Sequence, residues 1–180
     1  MEKEQLRTMY IDMYKKKDIC AYTVHAFELL THAPDFLRAA HVLAFAPLNR
    51  FEIPYIAFIM HAFPNKQYYF PRISVVDGSM TFHHVTALSE LSTGTFGIQE
   101  PEVSAVVWDE DVSTACMFVP ALALSREGVR LGHGKGYYDK FLSSRSALST
   151  LCVVPDFAFA EKLPRESHDI PVRHSFSAYI

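Results

Sequence analysis

The segment that decides the fold reads VPALALSREGVRLGHGKGYYDKFL, from Val119 to Leu142. It begins with an apolar run typical of a buried strand and ends with a pattern typical of a helix. Between the two, glycine occupies every second position, at Gly132, Gly134 and Gly136. Because glycine allows positive φ and lets another group approach the backbone closely, these residues predict a loop that wraps a ligand.

The residues around this loop favour an anion as the ligand. If a helix begins at Gly136 or Tyr137, its N-terminus and the loop N–H groups point at one place, which suits a phosphate. Arg130 and Lys135 add positive charge beside that place, and Asp139 is positioned to hold a divalent metal that bridges phosphates. The glycine spacing alone is equally compatible with a turn that binds nothing. It matches neither the Walker loop nor the dinucleotide-binding pattern.

The complete segment identifies a family far more specifically than its glycines alone do. RLGHGKGYYDKFL at residues 130–142, preceded by VPALAL and a basic-acidic-glycine turn, closely resembles the signature of the 5-formyltetrahydrofolate cyclo-ligase family, the methenyltetrahydrofolate synthetases. FGIQEP at residues 96–101 and the pair His168-Asp169 also resemble segments of that family. The resemblance is strongest over residues 96–142 and reaches both ends of the chain, which argues against a borrowed motif in an unrelated fold.

Length and composition indicate one domain, residues 1–180, because 180 residues with 49% hydrophobic content can bury a substantial core. No apolar run approaches the ~18 residues of a membrane span, and the first residues do not resemble a signal peptide. We therefore expect a cytoplasmic protein without a membrane partner. We also expect a monomer, although length and composition do not themselves determine the oligomeric state. Seventeen basic against twenty acidic residues give a net charge of −3, which argues against a nucleic-acid partner. Cys20, Cys116 and Cys152 predict buried thiols rather than a disulfide or zinc site.

Hydrophobic periodicity predicts alternating helices and strands. Helices are expected at 3–15, 21–31, from 34, 53–63 and 137–142, and strands at 41–47, 68–74, 80–85, 114–124, 150–154 and 174–180. Asp77-Gly78 predicts a hairpin turn between the second and third strands. The alternation indicates an α/β fold with a mostly parallel sheet covered on both faces. The family resemblance implies a three-layer α/β/α sandwich of the NagB/RpiA/CoA transferase-like type.

Further candidates lie outside the glycine loop, among them Lys3, Arg7 and Glu52. Lys3 and Arg7 are four residues apart on the first helix, which by itself describes two solvated basic residues. The resemblance implies that this segment contacts ATP. Glu52 follows the first predicted strand, in a βα loop at the edge where ligands usually bind. By itself it is an acid favourably placed near a helix N-terminus, and the resemblance implies a contact with folate.

The resemblance also implies a role for each site residue. Lys135 and Arg130 are the candidate catalytic residues, which stabilise charge on the transferred group, and Asp139 and Asp169 are the candidate ligands of Mg²⁺. The expected ATP-binding residues are Lys3, Arg7, Arg130, Leu131, Gly132, His133, Gly134, Lys135, Gly136, Tyr137 and Tyr138. The expected folate-binding residues are Glu52, His133, Gly134, Lys135, Gly136 and Tyr137. ATP is the expected co-substrate.

The implied reaction is an ATP-driven ring closure. The formyl oxygen of 5-formyltetrahydrofolate attacks the γ-phosphate of ATP, N10 then attacks the activated carbon, and loss of phosphate leaves 5,10-methenyltetrahydrofolate. An alternative is a nucleotide- or folate-binding homologue that has lost turnover. Residues 50–54 depart from the family pattern, and residues 154–160 lack the glutamine that family members often carry. RNA binding ranks last, since the sequence has no basic stripe.

Overall fold

The computed structural model describes residues 2–48 and 50–180 of the chain. Met1 and Asn49, the latter part of the polar loop predicted before Glu52, lie outside the described residues. The helices are α1 (Lys3–Tyr14), α2 (Thr23–Thr31), α3 (Pro34–Arg38), α4 (Ile56–Ala62) and α5 (Tyr137–Leu142). The strands are β1 (His41–Leu43), β2 (Gln67–Ser74), β3 (Ser79–His84), β4 (Ser92–Thr93), β5 (Gln99–Glu100), β6 (Ala115–Phe118), β7 (Ala123–Ser125), β8 (Arg130–Leu131), β9 (Ser149–Pro155), β10 (Phe159–Ala160) and β11 (His174–Ala178).

A six-stranded sheet in the order β11-β9-β6-β1-β2-β3 forms the centre of the fold. Its neighbouring strands pair in parallel, except for β3, which is antiparallel to β2. Every residue of β6 and β9 is buried, as expected where both faces of a parallel sheet are covered. Helix α2 packs against β9 and β11, and α5 packs against β3. The prediction of an α/β fold with a mostly parallel sheet is confirmed.

The predicted helices are present, and proline explains where two of them begin. Helix α3 has Pro34 in its first turn, where the missing N–H costs no hydrogen bond. The helix predicted from residue 53 begins only at Ile56, because Pro54 favours extended backbone at the residue before it. None of the helices in the described ranges is long and apolar enough to cross a membrane.

The prediction of a single strand over residues 114–124 is wrong. The structure divides it into β6 and β7, because Pro120 has no N–H to donate and interrupts the ladder. Strand β7 belongs to a second sheet in the order β10-β7-β8, in which it pairs antiparallel with β8. The turn between them contains Gly128 at a φ of 80°, a left-handed conformation that glycine adopts without strain. This small sheet carries Arg130 and Leu131 to the start of the glycine loop.

Two other predictions can be compared with the structure directly. The hairpin at Asp77-Gly78 is confirmed, because β2 and β3 pair antiparallel on either side of it. Cys116 and Cys152 are buried, as predicted, whereas Cys20 is exposed. The prediction for Cys20 is wrong because this residue lies in a short 3₁₀ helix, of which only the first and last residues are buried.

Candidate functional site

A cavity of about 520 Å³ opens beyond the carboxyl ends of β1 and β6. Phe45, which follows β1, and Pro120, which follows β6, form part of its wall. Open α/β sheets usually bind ligands at this edge. The wall includes all the residues proposed from the sequence for ATP, folate and magnesium, namely Lys3, Arg7, Glu52, Arg130, Leu131, Gly132, His133, Gly134, Lys135, Gly136, Tyr137, Tyr138, Asp139 and Asp169. The structure therefore brings these residues together, while the role of each stays a prediction.

The glycine loop owes its shape to two left-handed residues and one contact with α1. Gly134 has a φ of 88°, and Gly136, with a φ of 70°, immediately precedes α5. The Nε atom of Arg7 donates a hydrogen bond to the carbonyl oxygen of Gly132 over 2.9 Å. A Cβ atom on Gly134 would lie 3.1 Å from the Cζ atom of Arg7, so a side chain at that position would press on the guanidinium. Helix α1 is thus held against the loop by Arg7.

The carboxylate of Asp139 joins two parts of the site. Its Oδ1 atom accepts a hydrogen bond from the guanidinium of Arg130 over 2.8 Å and another from the backbone N–H of Ile170 over 3.0 Å. The Arg130 side chain is only 5% exposed, and its Nε atom is buried without a hydrogen-bond partner among residues 2–48 and 50–180. Because Ile170 directly follows Asp169, the two aspartates proposed for magnesium border the same part of the cavity.

Asp169 forms an ion pair with Lys3. The Nζ atom of Lys3 lies 2.7 Å from the Oδ2 atom of Asp169 and 3.0 Å from the Oε2 atom of Glu166. Burial opposes the charged form of Lys3, but the hydrogen bonds to these two carboxylates outweigh it and raise the pKa of Lys3. Burial likewise opposes ionisation of Asp169, but the backbone N–H of Glu166 and the ammonium of Lys3 lower the pKa of its carboxyl group overall.

The donor atoms available here suit a hard divalent cation. Carboxylate oxygens are the protein ligands that magnesium prefers, and Asp139 and Asp169 both present them to the cavity. Glu166 and His168 also offer donor atoms. One donor atom from each of Glu166, His168 and Asp169 lies within 4.8 Å of the other two. The donor set therefore fits magnesium, with Arg130 and Lys3 as the cations that neutralise the two aspartates in this structure.

Glu52 is a buried carboxyl group in the wall of the cavity. The backbone N–H of Leu48 donates to its Oε2 atom over 2.6 Å, yet burial dominates and raises the pKa of Glu52 to about 7. The Nε2 atom of His133 lies 3.9 Å from the other carboxyl oxygen. Burial, and the charge of Arg7, lower the pKa of His133. Near neutral pH this pair can therefore offer both hydrogen-bond donors and acceptors to a heteroaromatic ligand.

Sequence reasoning missed the apolar side of the cavity. This wall includes Phe45, Pro71, Ile73, Met80, Phe96 and Ile98. Phe96 is 56% exposed, its ring centre lies 5.1 Å from the Nζ atom of Lys135, and its ring centre lies 6.4 Å from that of Tyr137. The FGIQEP segment that contains Phe96 was the available signal. An aromatic ligand could pack here while anionic groups reach the glycine loop.

Comparisons with known proteins identify the family and the fold. A family model described as the 5-formyltetrahydrofolate cyclo-ligase family matches residues 3–176. The solution structure of Aquifex aeolicus 5,10-methenyltetrahydrofolate synthetase superimposes with a TM-score of 0.80 at 26% sequence identity, over 99% of this chain and 90% of that one. A Mycoplasma pneumoniae 5,10-methenyltetrahydrofolate synthetase has the same fold, with a TM-score of 0.74 over 97% of this chain and 98% of that one at 14% identity.

Similar sequences carry matching names. A 5-formyltetrahydrofolate cyclo-ligase of Mycolicibacterium smegmatis is 34% identical over 85 residues, which span 47% of this chain and 44% of that protein. A probable 5-formyltetrahydrofolate cyclo-ligase of Schizosaccharomyces pombe is 26% identical over 79% of this chain and 72% of its own length. The first of these matches thus spans less than half of the relative, whereas the family model spans nearly all of this chain. The chain belongs to the 5-formyltetrahydrofolate cyclo-ligase family.

Proposed function

We propose that this protein catalyses the ATP- and magnesium-dependent cyclisation of 5-formyltetrahydrofolate to 5,10-methenyltetrahydrofolate, with release of ADP and phosphate in one-carbon metabolism. One observation carries the proposal: the residues expected for ATP, folate and magnesium all border a single cavity. The cavity combines a cationic glycine loop with an apolar wall, which are the two surfaces that a nucleotide and a folate require. Family membership supports the same reaction.

The chemistry asks the protein mainly to position its substrates and to neutralise charge. An oxygen–phosphorus bond forms as the formyl oxygen attacks the γ-phosphate, and ADP leaves. The N10 nitrogen then bonds to the activated carbon and loses its proton, and the carbon–oxygen bond breaks as phosphate departs. Phosphorylation thus turns a poor leaving oxygen into a good one.

The glycine loop and the residues around it would position the substrates and neutralise their charge. The N–H groups of the glycine loop and the ammonium of Lys135 would bind the phosphates, and Arg130 would add charge beneath them while it holds Asp139. Lys3 and Arg7, both on α1, would contact the nucleotide from the side opposite the loop. Asp139 and Asp169 would hold magnesium, which when bound neutralises phosphate charge. Glu52 would face the folate, where its carboxyl group can pair with polar edges of the ring.

The first experiment is a two-product assay. Purified protein is mixed with 5-formyltetrahydrofolate and magnesium-ATP, and methenyltetrahydrofolate and ADP are measured together. The proposal expects equal amounts of both, which disappear when magnesium is chelated. Formation of ADP without the folate product would indicate that a molecule other than 5-formyltetrahydrofolate accepts the phosphate. If neither product forms but folate still binds, the binding homologue without turnover is favoured. The unusual residues 50–54 and the absence of a glutamine from residues 154–160 are the reasons for considering that alternative.

We also infer a three-layer α/β/α arrangement, which the complete burial of β6 and β9 supports. The cytoplasmic compartment and the monomeric state remain predictions. An Arabidopsis thaliana relative bears the name of a mitochondrial enzyme, so the family name by itself does not specify a compartment. Fractionation of cells and light scattering of the purified protein would test the two predictions.

A further inference from the structure

The ammonium of Lys3 lies where the proposed function requires a metal ion. Its Nζ atom is 2.9 Å from the Oδ1 atom and 2.7 Å from the Oδ2 atom of Asp169, so it contacts both carboxylate oxygens. Glu166 contributes a third contact to the same ammonium over 3.0 Å. The side chains of Lys3 and Asp169 are only 14% and 12% exposed. Water therefore screens this ion pair less than it would screen a pair on the open surface.

A magnesium ion bound to Asp169 and this ammonium would repel each other in the arrangement described. A magnesium–oxygen bond is about 2.1 Å long, so an ion bound to either oxygen of Asp169 would lie within about 5 Å of the Lys3 Nζ atom. Two cations at that separation in a partly buried place repel each other by several kcal/mol at an effective dielectric constant of about 20. A metal at Asp169 would therefore weaken the contact between this carboxylate and the ammonium, and would favour another anionic partner for Lys3.

The same cavity offers the ammonium an alternative partner. Lys3 borders it together with Gly134 and Lys135 of the glycine loop. A triphosphate bound at that loop would bring acceptor oxygens with negative charge to the space between α1 and the loop. Lys3 can exchange one anionic partner for another by side-chain rotation alone, because its four-carbon stem is flexible.

We propose, on the basis of the proposed function, that Lys3 couples metal binding to nucleotide binding. Lys3 neutralises Asp169 until a nucleotide arrives, and then transfers its ammonium to the phosphates while the metal takes Asp169. Metal alone then binds weakly, since it must compete with a tethered ammonium. Metal and nucleotide strengthen each other's binding, as linkage requires of two ligands that favour the same arrangement.

The test measures the binding of Mn²⁺ alone, by electron paramagnetic resonance, to nucleotide-free protein. Lys3→Met removes the competing ammonium and should tighten Mn²⁺ binding about tenfold. Lys16→Met is the matched control, because Lys16 is exposed and lies beyond the other end of α1, about 20 Å from Lys3 along the helix axis. The control should leave the Mn²⁺ affinity unchanged. Adding Asp169→Asn to Lys3→Met should abolish the gain.

A second series adds a non-hydrolysable ATP analogue. The analogue should tighten Mn²⁺ binding more in the wild type than in Lys3→Met, because only the wild type has an ammonium to redirect. Circular dichroism checks that the variants fold. If Lys3→Met does not fold, Lys3→Gln tests the same exchange. Mn²⁺ binding by the folded variant that is no tighter than in the wild type would overturn the proposal. No folate turnover is involved, so a failed cyclisation assay and a failed coupling are separate results.

Discussion

The guanidinium of Arg130 donates a hydrogen bond to the carboxylate of Asp139 over 2.8 Å, nine residues further along the chain and across the glycine loop. This ion pair closes the loop at its base, because Arg130 belongs to β8 and Asp139 to the first turn of α5. The Arg130 side chain is almost fully buried, so the pair has little access to water.

Removing Arg130 should therefore destabilise the protein. Arg130→Met leaves the Asp139 carboxylate without its cation, and we expect the free energy of unfolding to fall by about 2–4 kcal/mol. Arg126→Met is the matched control, because the Arg126 ion pair with Glu161 is exposed and should contribute less than about 1 kcal/mol. Urea unfolding monitored by circular dichroism measures both. Equal losses for the two variants would contradict the structural importance of the Arg130 pair.

Lys135 should affect turnover and not stability. The side chain is exposed at the loop and contacts the ring of Phe96, so Lys135→Ala should change the free energy of unfolding by less than about 0.5 kcal/mol. Loss of its charge from the transferred phosphate should reduce kcat by about 10²- to 10³-fold. Steady-state kinetics, with the exposed Lys162→Ala as control, test this prediction. Normal turnover by Lys135→Ala would show that the loop lysine has no catalytic role.

The glycines of the loop should differ in their tolerance of alanine. At Gly134 a φ of 88° and the nearby Arg7 guanidinium both oppose a Cβ atom, so Gly134→Ala should destabilise the protein by about 1–2 kcal/mol and raise KM for ATP. Gly132→Ala is the control, since beyond its chain neighbours its Cβ atom would meet no other atom of residues 2–48 and 50–180 within 4 Å. Thermal unfolding should separate the two variants. A Gly134→Ala protein as stable as Gly132→Ala would argue against the loop conformation described.

Glu52 should make stability decrease as pH rises. Its folded pKa of about 7 lies above the ordinary value of 4.5, so the folded state binds the proton more tightly than the unfolded state. The resulting loss of stability grows between about pH 4.5 and pH 7 and stays constant above that. Glu52→Gln keeps an acceptor for the Leu48 N–H and should be more stable than the wild type at pH 8, by at most about 3 kcal/mol, but not at pH 4. Urea unfolding at both pH values checks the difference, and a constant difference would contradict the raised pKa.

Asp35 should show the opposite dependence, away from the cavity. The hydroxyl of Ser149 lowers the pKa of Asp35 most, burial opposes this, and His174 lowers the pKa further through its 2.6 Å contact. The folded state therefore holds the carboxylate in its charged form. The stability that results is present above the ordinary value of 3.8 and is lost as pH falls through the lowered folded pKa.

Asp35→Asn should consequently be less stable than the wild type at pH 7, by about 1–2 kcal/mol, with the difference shrinking below pH 4. Turnover at 25 °C should remain normal, because Asp35 joins the starts of β9 and β11 and does not border the cavity. Unfolding across the pH range and one activity assay suffice. A large loss of turnover in a folded Asp35→Asn protein would contradict this separation.

The sequence was most informative where the structure of a segment depends only on residues within that segment. Gly136 precedes a helix that begins at Tyr137, and the left-handed residues follow from glycine chemistry that needs no distant partner. Pro120 could have predicted the break between β6 and β7 for the same local reason. The apolar wall was harder to predict from the sequence, because Phe45, Met80 and Phe96 come from separate segments that meet only when the sheet forms.

The sequence by itself therefore determined the parallel α/β architecture and the glycine loop, because periodicity and backbone freedom are local properties of the chain. The more distant charged residues Lys3, Arg7 and Asp169 were assigned to the site through the family resemblance. Only the tertiary structure decided which cation neutralises which carboxylate. Lys3 and Asp169 are 166 positions apart, and Arg130 reaches Asp139 only because the loop folds back on itself. Ion pairing depends on distance and burial, and both are set by packing of the two sheets and α1. No pattern in the sequence contains that information.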